Sequence, residues 1–441
     1  MPQLKPDRTP PGRTAYLNAR LIDPESGLDA KGALLTDGKT IADLGPHLFN
    51  DGVPEGITTV DCGGHVLCPG LIDMHVHLRE PGHEHKETIA TGTLSAAVGG
   101  VTTVACMPNT KPVIDDVALV EFIQRRARET GLIKVYPFAA ITRGLGGTEM
   151  TEMGMLAEAG ALAFTDDGLP IHDSMVMRRA LAYARAFDMM VSQHAEDLSL
   201  SACGCMAEGQ IATRLGLPGI PDASEVVVVE RDIRLVELTG GRYHVAHIST
   251  ALGIDAVRQA KSRGLRVSCE AAPHHFALTD AAVGDYRTFA KMAPPLRSEA
   301  NRRAVIEGLK DGTIDAIATD HAPHDQDSKR VPMERAANGV VGLETMLPIS
   351  LELYHAGEIG LGALLALMTV RPADLLKLPQ GRLKKGAPAD LLIFDPERAW
   401  TIDAKQFRSK SKNSPFDERQ VKGRALITTV DGRIVHRLDG A

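Results

Sequence analysis

The central part of the chain alternates between two kinds of hydrophobic pattern. Short, nearly continuous apolar segments are typical of buried strands, and each is followed by a segment whose apolar residues recur every three or four positions, as in a helix. Eight such pairs are typical of a (β/α)8 TIM barrel, which we predict for residues 66–378. The predicted strands cover residues 66–78, 101–107, 133–141, 161–167, 189–196, 243–248, 267–275 and 314–321.

Both ends of the chain carry short apolar segments separated by turn residues. Asp37-Gly38 and Asp431-Gly432 each lie between two such segments, where Asp-Gly favours a β-hairpin. Residues 1–65 and 379–441 each offer too little apolar sequence to bury a core alone. We therefore predict an α/β protein in which both chain ends combine into one small β-sandwich beside the barrel.

Composition and charge narrow the classes of function. The 441 residues are 44% hydrophobic and 24% charged, and the net charge of −7 argues against a nucleic-acid-binding protein. Residues 1–13 are polar and rich in proline, which argues against a signal peptide, and no apolar segment reaches membrane-spanning length. The six cysteines are sparse, and Cys203-Gly204-Cys205 lacks a second pair that would complete a zinc site. We therefore predict free thiols and a cytoplasmic protein.

The first predicted barrel strand ends in a group of polar residues on one face. Asp73, His75, His77 and Arg79 alternate with other residues, and side chains two positions apart in a strand point to the same side. Two imidazoles in this arrangement can bind one metal ion, and a guanidinium beside them can bind an anion. His-x-His also occurs as an ordinary pair of core or surface histidines, so the interpretation depends on the rest of the chain.

Four further predicted strands also end in residues that bind metals. Catalytic residues of a TIM barrel gather at the C-terminal ends of its strands, and so many buried imidazoles and carboxylates carry a steep desolvation cost without a cation. Six ligands suit two metals bridged by a carboxylate and a hydroxide, a centre that hydrolyses an amide or forms one in reverse. The four groups are Thr165-Asp166-Asp167-Gly168, Gln193-His194-Ala195-Glu196, His247-Ile248-Ser249-Thr250 and Thr319-Asp320-His321-Ala322-Pro323-His324.

These motifs, in this order, resemble those of the dihydroorotase family in the amidohydrolase superfamily. The resemblance extends over about residues 14–437 and includes Met107-Pro108-Asn109-Thr110 and Ser411-Lys412-Asn413-Ser414-Pro415-Phe416. Hydantoinases and allantoinases share the fold and the four histidines but bridge their metals with a carboxylated lysine on strand four. Residues 161–168 contain no lysine and offer Asp167 instead, which resembles the bacterial dihydroorotases with an aspartate bridge.

The resemblance implies an activity and a metal centre. Dihydroorotase reversibly cyclises N-carbamoyl-L-aspartate to dihydroorotate and water in pyrimidine (UMP) biosynthesis, by a zinc-activated hydroxide, and Asp320 would be the general acid and base. One zinc ion would be bound by His75, His77 and Asp320 and a second by His194 and His247. Asp167 would bridge the two, with its neighbour Asp166 as the weaker candidate. The implied metal ligands are therefore His75, His77, Asp167, His194, His247 and Asp320.

The resemblance also implies how substrate binds. Arg79 and Asn109, helped by His324, would hold the substrate's α-carboxylate. The polar segment 325–342 would form a lid in which Asn338-Gly339 contacts the substrate ring. Ala293 stands where the family often has Asn, and Ala336-Ala337-Asn338-Gly339 stands where Pro-Phe-Gly is common, so the resemblance does not settle the substrate contacts there.

Two alternative functions compete with dihydroorotase. The first is a cyclic amidohydrolase for hydantoin-like substrates, whose neutral ring would not need the carboxylate clamp formed by Arg79 and Asn109. The second is an inactive scaffold of aspartate transcarbamoylase, a role of relatives that have lost metal ligands, whereas this chain has all six. A homodimer and a complex of an active enzyme with aspartate transcarbamoylase both stay open.

Overall fold

The computed structural model describes residues 11–440. The prediction that there is no signal peptide concerns mainly residues 1–10, which lie outside the described residues. The strands are β1 (Arg13–Asp23), β2 (Leu28–Asp37), β3 (Thr40–Gly45), β4 (Thr58–Asp61), β5 (Val66–Pro69), β6 (Leu71–Val76), β7 (Val101–Cys106), β8 (Lys134–Pro137), β9 (Ala163–Phe164), β10 (Met190–Gln193), β11 (Met206–Ala207), β12 (Gly219–Ile220), β13 (Arg242–Val245), β14 (Val267–Ala271), β15 (Ala316–Ile317), β16 (Leu391–Thr401), β17 (Gln420–Val430) and β18 (Arg433–Arg437). The α-helices are α1 (Ile89–Gly99), α2 (Val117–Thr130), α3 (Met153–Glu158), α4 (Ser174–Ala186), α5 (Leu198–Ser201), α6 (Gln210–Leu215), α7 (Ala223–Thr239), α8 (Ala251–Ser262), α9 (Pro273–Ala277), α10 (Glu299–Asp311), α11 (Gln326–Lys329), α12 (Met346–His355), α13 (Leu361–Ala366) and α14 (Val370–Leu375).

Strands from both chain ends form one mixed sheet. β5 pairs in parallel with β1 and antiparallel with β16, so the N-terminal and C-terminal segments meet along β5. The strand order is β18-β17-β16-β5-β1-β2-β3, and β4 also pairs with β1. Residues from both ends, such as Tyr16, Leu67, Ile393 and Ile427, share one buried core. The predicted β-domain built from both chain ends is confirmed.

Eight parallel strands close into a barrel. β6, β7 and β8 form one parallel sheet, and β9, β10, β13, β14 and β15 form another. Single parallel bridges join the two sheets at Ala139–Phe164 and at Val76–His321 and close the ring. The helices between the strands bury residues such as Val229 and Ile254 against it. The predicted (β/α)8 barrel is confirmed.

The first predicted barrel strand is wrong in one respect, because residues 66–78 do not form a single strand. The chain leaves the terminal sheet after Pro69 and enters the barrel at Leu71. At Gly70 the backbone passes so close to Thr102 that a Cβ there would lie 2.2 Å from the Thr102 Cγ2. Gly70 therefore allows the change of sheet. The predicted domain limits at residues 65/66 and 378/379 stay predictions, and β5 belongs to the terminal sheet.

Regular strand pairing ends earlier than predicted at the C-terminal end of the barrel. Residues 267–275 were expected as one strand, but β14 stops at Ala271 because Pro273, which lacks a backbone N–H, begins α9. Beyond the paired strands, carboxylate side chains accept hydrogen bonds from backbone N–H groups in place of a neighbouring strand. Asp166 accepts bonds from the backbone N–H groups of Ile141 (2.8 Å) and Thr142 (3.0 Å), and Asp73 accepts one from Thr319 (3.0 Å). Because these bonds satisfy the backbone N–H groups, the residues at the strand ends need not keep regular strand geometry.

Two composition-based predictions concern cysteines and membrane segments. Cys62, Cys68, Cys106, Cys203, Cys205 and Cys269 are all free thiols. Across residues 11–440, the helices are either too short or too polar to cross a bilayer.

Candidate active site

The C-terminal ends of the barrel strands bring the six predicted metal ligands together. His75 lies in β6, and the other five lie just past the ends of β6, β9, β10, β13 and β15. All six residues are buried, with exposed fractions of 6% or less. The six residues are His75, His77, Asp167, His194, His247 and Asp320.

Backbone strain is concentrated at the same place. Arg79 (φ 62°), His247 (φ 34°) and Asp320 (φ 48°) all have positive φ angles although none is glycine. Such a conformation costs about 1–3 kcal/mol per residue and persists only where the surrounding fold imposes it. The barrel therefore holds these side chains in positions that a relaxed strand would not give. Arg79 lies three residues beyond the end of β6 with a positive φ angle, so the prediction that it shares a strand face with His75 is wrong.

One group of possible metal ligands comprises His75, His77 and Asp320. The Asp320 Oδ1 lies 3.1 Å from the His77 Nε2 and 3.7 Å from the His75 Nε2. Two ligand atoms on one tetrahedral zinc ion, each about 2.0–2.1 Å from it, lie about 3.3 Å apart. The three side chains are therefore spaced like ligands of a single ion.

A second group comprises His75, Asp167 and His247. The Asp167 Oδ1 lies 3.3 Å from the His75 Nε2 and 3.8 Å from the His247 Nε2, while its Oδ2 lies 3.5 Å from the His77 Nε2. The His194 Nδ1 lies 3.0 Å from the His247 Nε2. Asp167 thus stands between the two groups, with one carboxylate oxygen toward each. Asp166 instead hydrogen-bonds Ile141 and Thr142 and faces away.

Two buried atoms at the centre have no hydrogen-bond partner among the described residues. They are the His75 Nε2 and the Asp167 Oδ1, which face each other. A buried polar atom without a partner costs about 1–3 kcal/mol, and a cation would satisfy both. Imidazole nitrogens and carboxylate oxygens are also the donors that zinc and related metals take. The residues present therefore fit a metal ion.

The charges of the site compensate one another. Burial alone would raise the pKa of Asp320, but the hydrogen bond to His77 and the charges of His75, His77 and His247 hold that pKa well below its usual range. Burial would also raise the pKa of Asp167, but the neighbouring histidines outweigh that effect and hold the pKa of Asp167 well below its usual range. Both carboxylates are therefore ionised at neutral pH, as ligands and proton acceptors must be.

Glu270 in β14 orients His75, a role that the sequence analysis missed. Its Oε1 accepts a 2.7 Å bond from the His75 Nδ1, and its Oε2 lies 3.3 Å from the His244 Nε2. Burial would raise the pKa of Glu270, but the hydrogen bonds to His244 and His75 lower it to about 2. A carboxylate that holds one imidazole nitrogen turns the other toward the metal. The signal in the sequence is a lone charged residue within the apolar strand 267–271.

Asn109 has a similar orienting contact. Its Oδ1 accepts a 2.9 Å bond from the His77 Nδ1, and its Nδ2 donates to the backbone oxygen of Asp167 at 3.3 Å. The family resemblance implies that Asn109 binds the substrate carboxylate. The structure places it beside the metal-ligand group, with both ends of its amide already bonded to residues of the site.

Arg79 lies at the mouth of the site without an acidic partner. Its guanidinium donates to the Pro323 backbone oxygen and to the His324 Nε2, each at 3.3 Å, and no carboxylate within residues 11–440 forms an ion pair with it. Burial lowers the pKa of Arg79 to about 10, so it stays charged at neutral pH. Burial and the charge of Arg79 lower the pKa of His324 to about 2, so that imidazole is neutral. Because this charged guanidinium has no ion-pair partner among the described residues, it can bind an anion.

The C-terminal segment reaches back to this mouth through Asn413. The Asn413 Oδ1 accepts from the backbone N–H of His324 at 3.1 Å, and its Nδ2 donates to the oxygens of Ala322 and Gly339, each at 3.0 Å. Gly339 adopts φ 127°, and a Cβ there would lie 2.6 Å from the Ala322 Cβ, so the position requires glycine. The predicted substrate residues His324, Asn338 and Gly339 therefore belong to one connected wall.

Comparison with known proteins identifies relatives of the whole chain. A family model described as dihydro-orotase-like matches residues 64–252. A dihydroorotase from Anaplasma phagocytophilum (strain HZ) is 53% identical over 431 residues, covering 96% of this chain and 95% of that protein. A dihydroorotase from Geobacter sp. (strain M21) is 51% identical, covering 95% of this chain and 98% of that protein.

Among solved structures, the L-hydantoinase (dihydropyrimidinase) from Arthrobacter aurescens has a similar fold. Its TM-score is 0.87 at 27% sequence identity, and the alignment covers 96% of each chain. The dihydropyrimidinase from Brevibacillus agri NCHU1002 has a TM-score of 0.83 at 22% identity, which shows a shared fold alone.

Proposed function

This chain belongs to the dihydroorotase family of cyclic amide hydrolases, and we propose that its barrel site opens dihydroorotate with water and forms it in reverse from N-carbamoyl-L-aspartate. The observation that carries the choice of substrate is Arg79. This charged guanidinium lacks an acidic partner in the described part of the chain and lies beside the metal-ligand group. Both compounds carry a carboxylate that can bind there while the amide carbonyl faces the ligands.

The site is a metal site, and we propose that it holds zinc, as two ions. One ion would be held by His75, His77 and Asp320. The other would be held by His194 and His247, and Asp167 would contact both ions. The donor spacings of 3.0–3.8 Å support this assignment. When bound, such ions polarise the amide carbonyl and lower the pKa of water.

Asp320 is the proposed general base and acid. In ring opening, its ionised carboxylate accepts a proton from the attacking water as the C–O bond forms. It then donates that proton to the ring nitrogen as the C–N bond breaks, which leaves the carbamoyl group and regenerates the carboxylate. The reverse sequence closes the ring and releases water. The low pKa of Asp320 supplies the base form for the first step.

Arg79, His324 and the lid residues are the proposed substrate-binding groups. Arg79 offers a planar pair of donors for the α-carboxylate, and the backbone contact with Asn413 fixes His324 beside it. Asn109 contributes from the other side, through its contact with His77. Asn338 and Gly339 complete the wall next to the ring.

The two alternatives are less well supported. A hydantoinase-like activity would leave the Arg79 charge without an anion, and residues 161–168 have no lysine to carboxylate. An inactive scaffold of aspartate transcarbamoylase would not need the five spaced donors of the two ligand groups or His194 beside them. A homodimer, a complex of the active enzyme with aspartate transcarbamoylase and a cytoplasmic location are further proposals from the family resemblance, and size-exclusion chromatography with light scattering tests the first two.

A ring-opening assay on the purified protein tests the proposal. We expect dihydroorotate to be hydrolysed at neutral pH, N-carbamoyl-L-aspartate to be cyclised at lower pH, and both activities to disappear on chelation and return with zinc. Metal content measured on the same samples should follow the activity. Full activity in metal-free protein would contradict the metal assignment, and no turnover of dihydroorotate by the zinc-loaded protein would contradict the substrate.

A further inference from the structure

A buried lysine without an acidic partner holds the lid segment. Lys329, the last residue of α11, is fully buried. Its ammonium donates to the backbone oxygens of Lys291 (3.0 Å), Ala337 (2.8 Å) and Gly339 (3.0 Å). An ammonium has three N–H donors, so all three are used. No carboxylate within residues 11–440 forms an ion pair with it.

A fully buried lysine normally has an ion-pair partner, because burying an unpaired charge is costly. Burial and the neighbouring charge of Lys291 lower the pKa of Lys329 to about 7, which reflects this cost. An apolar side chain of the same length would fill the space without the penalty. Packing alone therefore does not explain why a charged side chain is buried here. The three hydrogen bonds from the Lys329 ammonium to carbonyl oxygens do explain it.

Two of the three carbonyls lie on either side of Asn338 in the chain. The Ala337 oxygen precedes it and the Gly339 oxygen follows it, so the Lys329 ammonium fixes the Ala337–Asn338 and Gly339–Val340 peptide units. A Cβ on Gly339 would lie 3.3 Å from the His324 Cδ2, and the His324 imidazole lies beside the Asn338 backbone. Lys329 thereby shapes the wall next to the Arg79–His324 pair.

Two of the three carbonyls have a second partner. The Lys291 oxygen also accepts from the Gly339 N–H at 3.1 Å, and the Gly339 oxygen also accepts from the Asn413 Nδ2 at 3.0 Å. Among the described contacts, only the Ala337 oxygen depends on Lys329 alone. Loss of the ammonium is therefore expected to release the Ala337–Asn338 peptide while the rest of the lid keeps its bonds.

We propose that Lys329 is a positioning residue for substrate binding. Through Ala337, Asn338 and Gly339 it holds the wall that faces the substrate carboxylate at Arg79 and His324, and it does not touch the reacting atoms. The inference rests on the proposed dihydroorotase function. It predicts an effect on KM for dihydroorotate rather than on kcat or metal binding.

The test compares two lysine variants. K329M is expected to raise the KM for dihydroorotate at least about tenfold, equivalent to about 1.4 kcal/mol, with kcat within about threefold of wild type. Zinc content should be unchanged. K261M is the control, because Lys261 also caps carbonyls, those of Gly312 and Thr313, but at the opposite end of β15, where it also pairs with Asp315. Its KM should stay at the wild-type value.

The outcomes separate this inference from the proposed function. Wild-type KM in folded K329M, or an equal rise in K261M, would overturn the positioning role while leaving dihydroorotase activity intact. Absence of activity in the wild-type protein would instead reject the proposed function. If K329M does not fold, K329Q replaces it, because a glutamine amide has only two N–H donors and cannot bond all three oxygens. A raised KM with unchanged kcat in K329Q supports the role, and a wild-type KM overturns it.

Discussion

At the residue scale, Asp320 combines the features of a metal ligand and a proton carrier. It is buried, its backbone has a positive φ, and its Oδ1 lies 3.1 Å from the His77 Nε2. The strain and the low pKa both follow from its position beyond β15, where it faces three imidazoles. The same carboxylate can therefore stay ionised in the resting site and take up a proton only when water attacks the amide carbonyl.

The D320N variant tests that role. Asparagine has the same shape but cannot accept the proton, so we expect kcat to fall at least ~10²-fold, the low end for a general acid-base group. The measurement is turnover of dihydroorotate at matched zinc content, so that loss of a ligand is not mistaken for loss of the base. Near wild-type turnover would show that another group carries the proton.

Glu270 offers a test of ligand orientation. In E270Q the amide is a much weaker acceptor for the His75 Nδ1–H, so we expect zinc affinity to fall about 10–100-fold with the barrel still folded. D390N is a suitable control, because Asp390 is also a buried carboxylate but pairs with Lys134 away from the ligands. Equal zinc affinity in E270Q and wild type, measured by competition with a chelator, would contradict the orienting role.

At the scale of elements, the hydrophobic pattern predicted the barrel correctly. It could not locate the break at Gly70, because the change of sheet depends on the distant Thr102 and on β16. It also missed the end of β14, although Pro273 was a readable signal. The contacts of Glu270 with His75 and of Asn413 with His324 join residues 195 and 89 positions apart, which no local pattern encodes.

The loop after β9 carries a prediction about assembly. Because Asp167 stands between the two ligand groups, the site should need no carboxylated lysine. We expect zinc content and activity to be the same whether the protein is reconstituted with or without bicarbonate, and D167A to lose both. A carboxylated lysine seen at the metals, or a D167A protein that keeps its zinc and its rate, would refute the aspartate bridge.

At the scale of the whole molecule, the metal centre and the fold are linked. The ligands come from five strand ends around the barrel, so an ion bound there connects elements far apart in sequence. A ligand that binds only the folded state stabilises it by about 4 kcal/mol at a free concentration about 1,000 times its Kd.

Chelation is therefore expected to lower the thermal unfolding temperature, and added zinc to restore it. Scanning calorimetry of the wild-type protein gives the measurement, and the H247A variant, which lacks one proposed ligand, should show a smaller shift. An unfolding temperature that does not respond to chelation would contradict a metal centre that links the strands.

The substrate preference of the wild-type protein tests the central claim most directly. Dihydroorotate carries the carboxylate that Arg79 is proposed to bind, whereas dihydrouracil has the same ring without it. Leaving a buried charge unpaired costs roughly 2–5 kcal/mol, so we expect kcat/KM for dihydroorotate to exceed that for dihydrouracil at least ~30-fold. In the R79M variant, the preference for dihydroorotate over dihydrouracil should mostly disappear while the zinc content stays unchanged. Comparable kcat/KM for the two rings in the wild-type protein would contradict the dihydroorotase assignment and favour a broader cyclic amidohydrolase.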